Sequence, residues 1–204
     1  MRVRALIGVF ATAAVALGLT GCGGNNTADT TSAGGTPPPS SVEQRPIAHN
    51  QADLSFAQEM IPHHAEAIQM AQSASDRAQS AQVKEFASRI EQAQGPEIET
   101  MTSWLRTWNA QVPPTGESSG GHGGGTGAGG GMGTEQMQQL EQTTGAEFDR
   151  LFLQMMIKHH EGAIEMARAE LDSGRSPEVK QLAQQIIDAQ QAEIEEMQVL
   201  LPRG

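Results

Sequence analysis

The chain repeats itself. Asp53 to Ala71 reads DLSFAQEMIPHHAEAIQMA, and 96 residues later Asp149 to Ala167 reads DRLFLQMMIKHHEGAIEMA, with eleven of nineteen positions identical. The same offset continues without a gap. Val83 to Met101 and Val179 to Met197 share ten of nineteen positions. A unit repeated at a fixed offset predicts one domain made from two copies of a supersecondary element. Ala, Gln, Glu, Met and Leu dominate both copies, and all are good helix formers. Each copy therefore reads as a helical hairpin, with helices near 50–76 and 80–109, then 135–172 and 177–201. Ser80 and Ser176 suit N-caps, the latter followed by Pro177 at the first helical position. Gly174 suits the end of the third helix. Pro62 and Pro96 fall inside helices and predict kinks there. Residues 112–134 are nearly all Gly, Ser, Thr and Pro, so they form a crossover rather than a packed element. Repeats 50–110 and 135–201 joined in this way predict an all-α, four-helix bundle occupying residues 49–204.

Composition agrees. Aromatic residues make up 3% of the chain and there is no Tyr, too few for a sandwich or barrel. Acidic residues outnumber basic ones 24 to 13, a formal charge of −11. No basic patch is available to neutralise phosphates, which excludes nucleic acid as a partner.

Residues 1–21 have the pattern of a lipoprotein signal peptide. Arg2 and Arg4 precede an apolar stretch from Leu6 to Leu19, too short to span a bilayer as a stable anchor. It ends in Leu19-Thr20-Gly21-Cys22, which resembles the bacterial lipobox. Cys22, the only cysteine, is then the lipidation site and the new N-terminus, and the membrane is held through lipid alone. Residues 22–48, with Pro37-Pro38-Pro39, are too polar to bury a core and read as a disordered tether.

The residues shared by both copies have a direction in common. At about 100° per residue, ten of the eleven shared positions of the first helix fall in one half of the wheel; only Gln58 (Gln154) falls outside. Apolar residues on that buried face need no explanation, but His63, His64 and Asp53 do. In the second helices Gln94 and Glu97 lie along the apolar stripe. The second copy supplies Asp149, His159, His160, Gln190 and Glu193. Buried carboxylates are costly unless paired or bound to a cation.

Imidazole is the commonest metal-binding side chain, and the Met thioether is soft. Met60, His63 and His64 sit at i, i+3 and i+4, within reach of one ion; Met156, His159 and His160 repeat this. Sulfur with nitrogen favours copper, above all Cu(I). Met70 and Met166 lie seven residues past the first His, about 10 Å along the axis, for a neighbouring position or for packing. Asp53, Glu97, Met101, Asp149, Glu193 and Met197 would orient the imidazoles or serve as alternative ligands. The competing structural reading makes Met a filler of a small-residue core and each His a partner of an inward carboxylate. His49 and His122 fall in segments that read as flexible, and are incidental.

The doubled pattern Phe-x3-Met-Ile-x-His-His-x2-Ala-Ile-x-Met-Ala, at Phe56 to Ala71 and Phe152 to Ala167, resembles the signature of a secreted bacterial His/Met-rich family long labelled a domain of unknown function. The CopM-like copper-binding proteins belong to that family. The resemblance covers about residues 50–201. It implies a ferritin-like bundle and an extracytoplasmic copper-binding or copper-resistance role. Lys158 departs from the motif's Pro.

Two function classes follow. One is a metal-binding protein, tethered outside the cell membrane, that buffers copper without catalysis. The other is a di-metal carboxylate oxidase holding iron or manganese. Such enzymes use Glu-x-x-His on a helix, whereas Met60 or Ile61 stands three residues before each His here, which weighs against an enzyme. A metal-free envelope scaffold is a third reading. Whether the chain forms a homo-oligomer is left open by its sequence.

Overall fold

The computed structural model describes residues 48–115 and 132–201. The described residues form five helices and no strand: α1 (Gln51–Arg77), α2 (Ala81–Thr107), α3 (Thr134–Gln142), α4 (Gly145–Ser173) and α5 (Pro177–Leu200). Among them no helix is long and apolar enough to cross a membrane. The signal peptide, Cys22, the tether up to residue 47 and His122 lie outside the described residues.

Local chemistry sets the boundaries. The Asn50 side chain accepts from the amides of Ala52 and Asp53, while the Asp53 carboxylate accepts from the Asn50 amide, a reciprocal cap that starts α1. Ser80 and Ser176 cap α2 and α5 through the amides of Val83 and Val179. Pro62 and Pro96 sit within α1 and α2, which run through them as single helices. The third predicted helix is corrected. It is two helices, broken at Thr143 and Thr144, where Thr143 Oγ1 donates to the Leu140 carbonyl. Gly145 follows with φ of 71°, a conformation that costs glycine little.

α1 packs along α2, α4 along α5, and the two pairs meet through α1 and α4; the short α3 touches α1 and α4. The apolar core falls into two clusters, each drawn from both copies. One holds Met70, Phe86, Ile90, Leu140, Phe148, Phe152, Met156 and Met197. The other holds Phe56, Met60, Ile61, Met101, Trp104, Leu105, Val179 and Ile186. Burying each of these large side chains stabilises the fold by roughly 1.5–3 kcal/mol. Along α1, Ile61 belongs to one cluster and Ala67 to the other, so His63 and His64 fall where the two meet.

The pairs are also laced together by two equivalent carboxylates. Asp53 on α1 accepts from the amides of Arg175 and Ser176 in the turn between α4 and α5, the latter at 2.9 Å. Asp149 on α4 accepts from Gln79 and Ser80 in the turn between α1 and α2, at 3.0 and 2.9 Å. Each pair thus closes the turn of the other. This corrects the expectation that Asp53 and Asp149 orient imidazoles. They face inward, as the wheel requires, but ten residues from the first His is about 15 Å along a helix, at the ends of the packing rather than its middle.

One of the two ends carries an extra group. Glu170 is buried against Asp53, and no N–H reaches its carboxyl. Burial, then the Asp53 carboxylate, push its pKa up to about 8. Burial raises Asp53 as well, but the amides of Asn50, Ser176 and Arg175 and the protonated Glu170 together bring it below the usual carboxylate range. The equivalent of Glu170 in the first copy is Ala74. Gly174 is required here by space: a Cβ would lie 1.8 Å from Glu170 Oε1 and 2.7 Å from its carbonyl oxygen.

Folded Glu170 keeps its proton up to about pH 8, whereas the unfolded chain releases it near 4.5. The stability it contributes is therefore full below 4.5 and lost as pH rises through about 8. Urea unfolding midpoints at about pH 7 and about pH 9, both above the range in which His159 titrates, should differ in the parent protein, and the difference should shrink in Glu170→Gln.

Candidate metal centre

Adjacent residues on a helix point about 100° apart, so a His-His pair addresses two neighbours at once. His63 and His159 meet between α1 and α4, with ring centroids 3.7 Å apart and planes tilted by 34°. His64 turns to α2, where its Nε2 lies 2.6 Å from Glu97 Oε2. His160 turns to α5 and lies 2.8 Å from Glu193 Oε2. All four imidazoles are buried. The two predicted sets are therefore parts of one centre, and the His159 and His160 rings are 6.5 Å apart. Gln94 and Gln190, one turn before those glutamates, are each 3% exposed, so the middle of the core is polar from all four long helices.

A carboxylate accepts, so the ring nitrogen facing it carries the proton and the other keeps its lone pair. On that basis His64 and His160 are Nε2–H tautomers. Their Nδ1 atoms are buried without a hydrogen-bond partner, as is Nδ1 of His159. Both amide atoms of Gln94 and the Gln190 carbonyl oxygen are in the same condition. Each such atom costs about 1–3 kcal/mol. A soft cation bound to imidazole nitrogen would relieve part of that cost, so these residues fit one.

His159 is biased toward the form a metal needs. Burial above all holds its pKa below the ordinary value of 6.5, against the opposing pull of Glu66. Neutral imidazole is the ligating state.

The sulfur atoms are placed symmetrically in part. Met60 and Met101 are buried in one cluster, and their equivalents Met156 and Met197 in the other. Met70 is buried while its equivalent Met166 is only partly so. Among the described residues, no three His, Cys, Asp or Glu side chains gather as a cation cage. A cation taken up here would draw on thioether as well as imidazole. Glu97 and Glu193 are each committed to a ring, an arrangement unlike the converging carboxylates of a di-metal oxidase. His49 differs from its expected place in a flexible segment: its ring stacks on Trp108 at 4.4 Å, away from the centre.

Glu66 is the participant that comparison of the copies discards. Its Oε2 lies 3.4 Å from His159 Nε2, and its Oε1 accepts from the Met132 amide at 2.7 Å. The equivalent in the second copy is Gly162, so the repeat hides it. The available signal is position alone, one turn after His63.

Residues 53–201 match the family model described as Domain of unknown function (DUF305). Among solved structures, CopM in its Cu(II)-bound form is 34% identical, covering 72% of this chain and 93% of its own, with a TM-score of 0.60. Structures of CopM with Cu(I) and with silver match as well. A DUF305 fragment from Deinococcus radiodurans is 31% identical over 74% of this chain and 96% of its own, at a TM-score of 0.64. A secreted DUF305 protein from Streptomyces coelicolor is 28% identical over 72% and 89%, at 0.62. No curated protein matches the chain.

The depressed pKa of His159 has a measurable sign. The unfolded chain takes up a proton near 6.5 that the folded protein refuses. The stability this ring contributes is full above 6.5 and lost as pH falls through its lower folded value. Chemical denaturation should show stability declining with acidification from 6.5, with a shallower decline in His159→Leu.

Proposed function

This chain belongs to the DUF305 family, and on that premise we propose that it is an extracytoplasmic metal-binding protein that takes up copper at the imidazole centre. The observation that carries the reading is the shared plan of His64, His159 and His160. His64 and His160 hold Nε2 in a hydrogen bond to a carboxylate, His159 Nε2 faces Glu66 at 3.4 Å without one, and all three keep Nδ1 buried with no hydrogen-bond partner. Imidazoles that bind metals are commonly held in this way, the carboxylate setting the tautomer and raising basicity. Copper is favoured because the remaining donors nearby in sequence are the thioethers of Met60 and Met156. The copper- and silver-bound forms of CopM, a relative 31–34% identical, support the same choice.

His63, His64, His159 and His160 are the proposed imidazole donors, no more than two of them to any one ion, with the thioethers of Met60 and Met156. Met70 and Met166 serve an adjoining position; Met101 and Met197 are alternatives within the two clusters. Glu97 and Glu193 fix the outer rings. The role is buffering or resistance rather than catalysis. The four long helices form a ferritin-like four-helix bundle of two repeated hairpins, with the crossover between them. Cleavage before Cys22 and its lipidation tether the domain outside the membrane, in keeping with the secreted relative.

Anaerobic titration with Cu(I) against a chromophoric chelator, beside Zn(II) and Fe(II), tests the reading. Cu(I) should bind most tightly, with sulfur and nitrogen scatterers in X-ray absorption. His63→Ala/His64→Ala should weaken it by about 10-fold or more, since loss of an outer carboxylate alone commonly costs that much. An unchanged affinity in the double variant sinks the assignment. Separately, Cys22→Ser should move the protein from the membrane fraction to the soluble one; retention in the membrane overturns the lipid tether.

A further inference from the structure

The centre has three carboxylates for four imidazoles, and the third stands outside the repeat. Glu97 and Glu193 are equivalent and do the same thing, each holding the outer ring of its own helical pair. Glu66 reaches across from α1 to His159 on α4. Its equivalent in the second copy is Gly162, so this contact has no counterpart made by the same position of the repeat. The Glu66 carboxylate has two tasks. Oε1 accepts from the Met132 amide at 2.7 Å, and Oε2 faces His159 Nε2 at 3.4 Å. The Met132 N–H can only donate. One end of the Glu66 side chain must therefore be an acceptor, whatever occupies the other.

We infer that Glu66 is a positioning residue that selects the Nε2–H tautomer of His159 and so keeps its Nδ1 lone pair available to the metal. The inference rests on the metal-binding reading for its consequence, but the tautomer itself is a property of the metal-free protein. The argument turns on the difference between a carboxylate and an amide. Both oxygens of Glu66 accept, and although Oε2 stands at 3.4 Å without a formed hydrogen bond, its negative charge favours a proton on the facing His159 Nε2. Glutamine has the same shape and only one acceptor. Held by the Met132 amide, its oxygen is spoken for, and its NH2 group faces His159 Nε2. That nitrogen must then accept, the proton moves to Nδ1, and the lone pair the metal would use is gone. An isosteric change thus reverses the polarity of the ring without opening a cavity.

The test uses the folded domain with uniform 15N labelling. Long-range 1H–15N correlation of the metal-free protein reports which nitrogen of His159 carries the proton. The parent protein should show Nε2–H and Glu66→Gln should show Nδ1–H. Cu(I) affinity of Glu66→Gln should fall by about 10- to 100-fold, the usual effect of losing such a partner. Glu66→Ala, which leaves neither donor nor acceptor, controls for packing through its thermal midpoint. An unswitched tautomer in the Gln variant overturns the assignment, and so does a switched tautomer with unchanged Cu(I) affinity in a parent protein that binds. A switched tautomer in a protein that binds no Cu(I) at all refutes the copper reading and leaves the positioning role of Glu66 standing.

Discussion

A buried imidazole can be tolerated in one of two ways, neutral with its N–H satisfied, or charged beside a carboxylate. The contacts of His64 with Glu97 and of His160 with Glu193 settle each ring against the second helix of its own pair. With the outer rings fixed there, the inner rings can only point the other way, toward each other across α1 and α4. The polar middle of the core, the close tilted approach of His63 and His159 and the buried Nδ1 atoms all follow from that one division of labour between adjacent residues. Replacing the four imidazoles by leucine would give a better-packed interface.

Much of the fold is legible before any coordinates. The helix expected at 50–76 runs from Gln51 to Arg77, and the one expected at 177–201 from Pro177 to Leu200, because Ser176, Pro177 and the apolar period all agree. The break at Thr143 to Gly145 is not legible. Its signs are small: no large apolar residue stands between Leu140 and Phe148, and a threonine hydroxyl and a left-handed glycine make the break. A helical wheel explains what the sequence says of the inward polar residues. It gives direction but not depth. Glu97 faces inward at the level of His64, and Asp53 faces inward at the end of the helix. Both look alike in projection, yet one meets a ring and the other a turn.

The repeat is the strongest signal in the sequence and also conceals what differs between its halves. Glu66 opposite Gly162, and Glu170 opposite Ala74, are visible only as mismatches. Yet both are buried or half-buried carboxylates where the two helical pairs meet, one at the imidazoles and one at the turn closed by Asp53. Duplication supplies the frame, and the departures from it supply the chemistry that a symmetric frame lacks.

The reciprocal closure by Asp53 and Asp149 bears on how the chain must come together. Each helical pair holds the only carboxylate that completes its partner's bend, and each apolar cluster draws on both halves. Severed anywhere in the crossover, the polypeptide would yield two fragments that are unfinished apart and complementary together. Mutual completion of this kind makes the halves obligate co-folders.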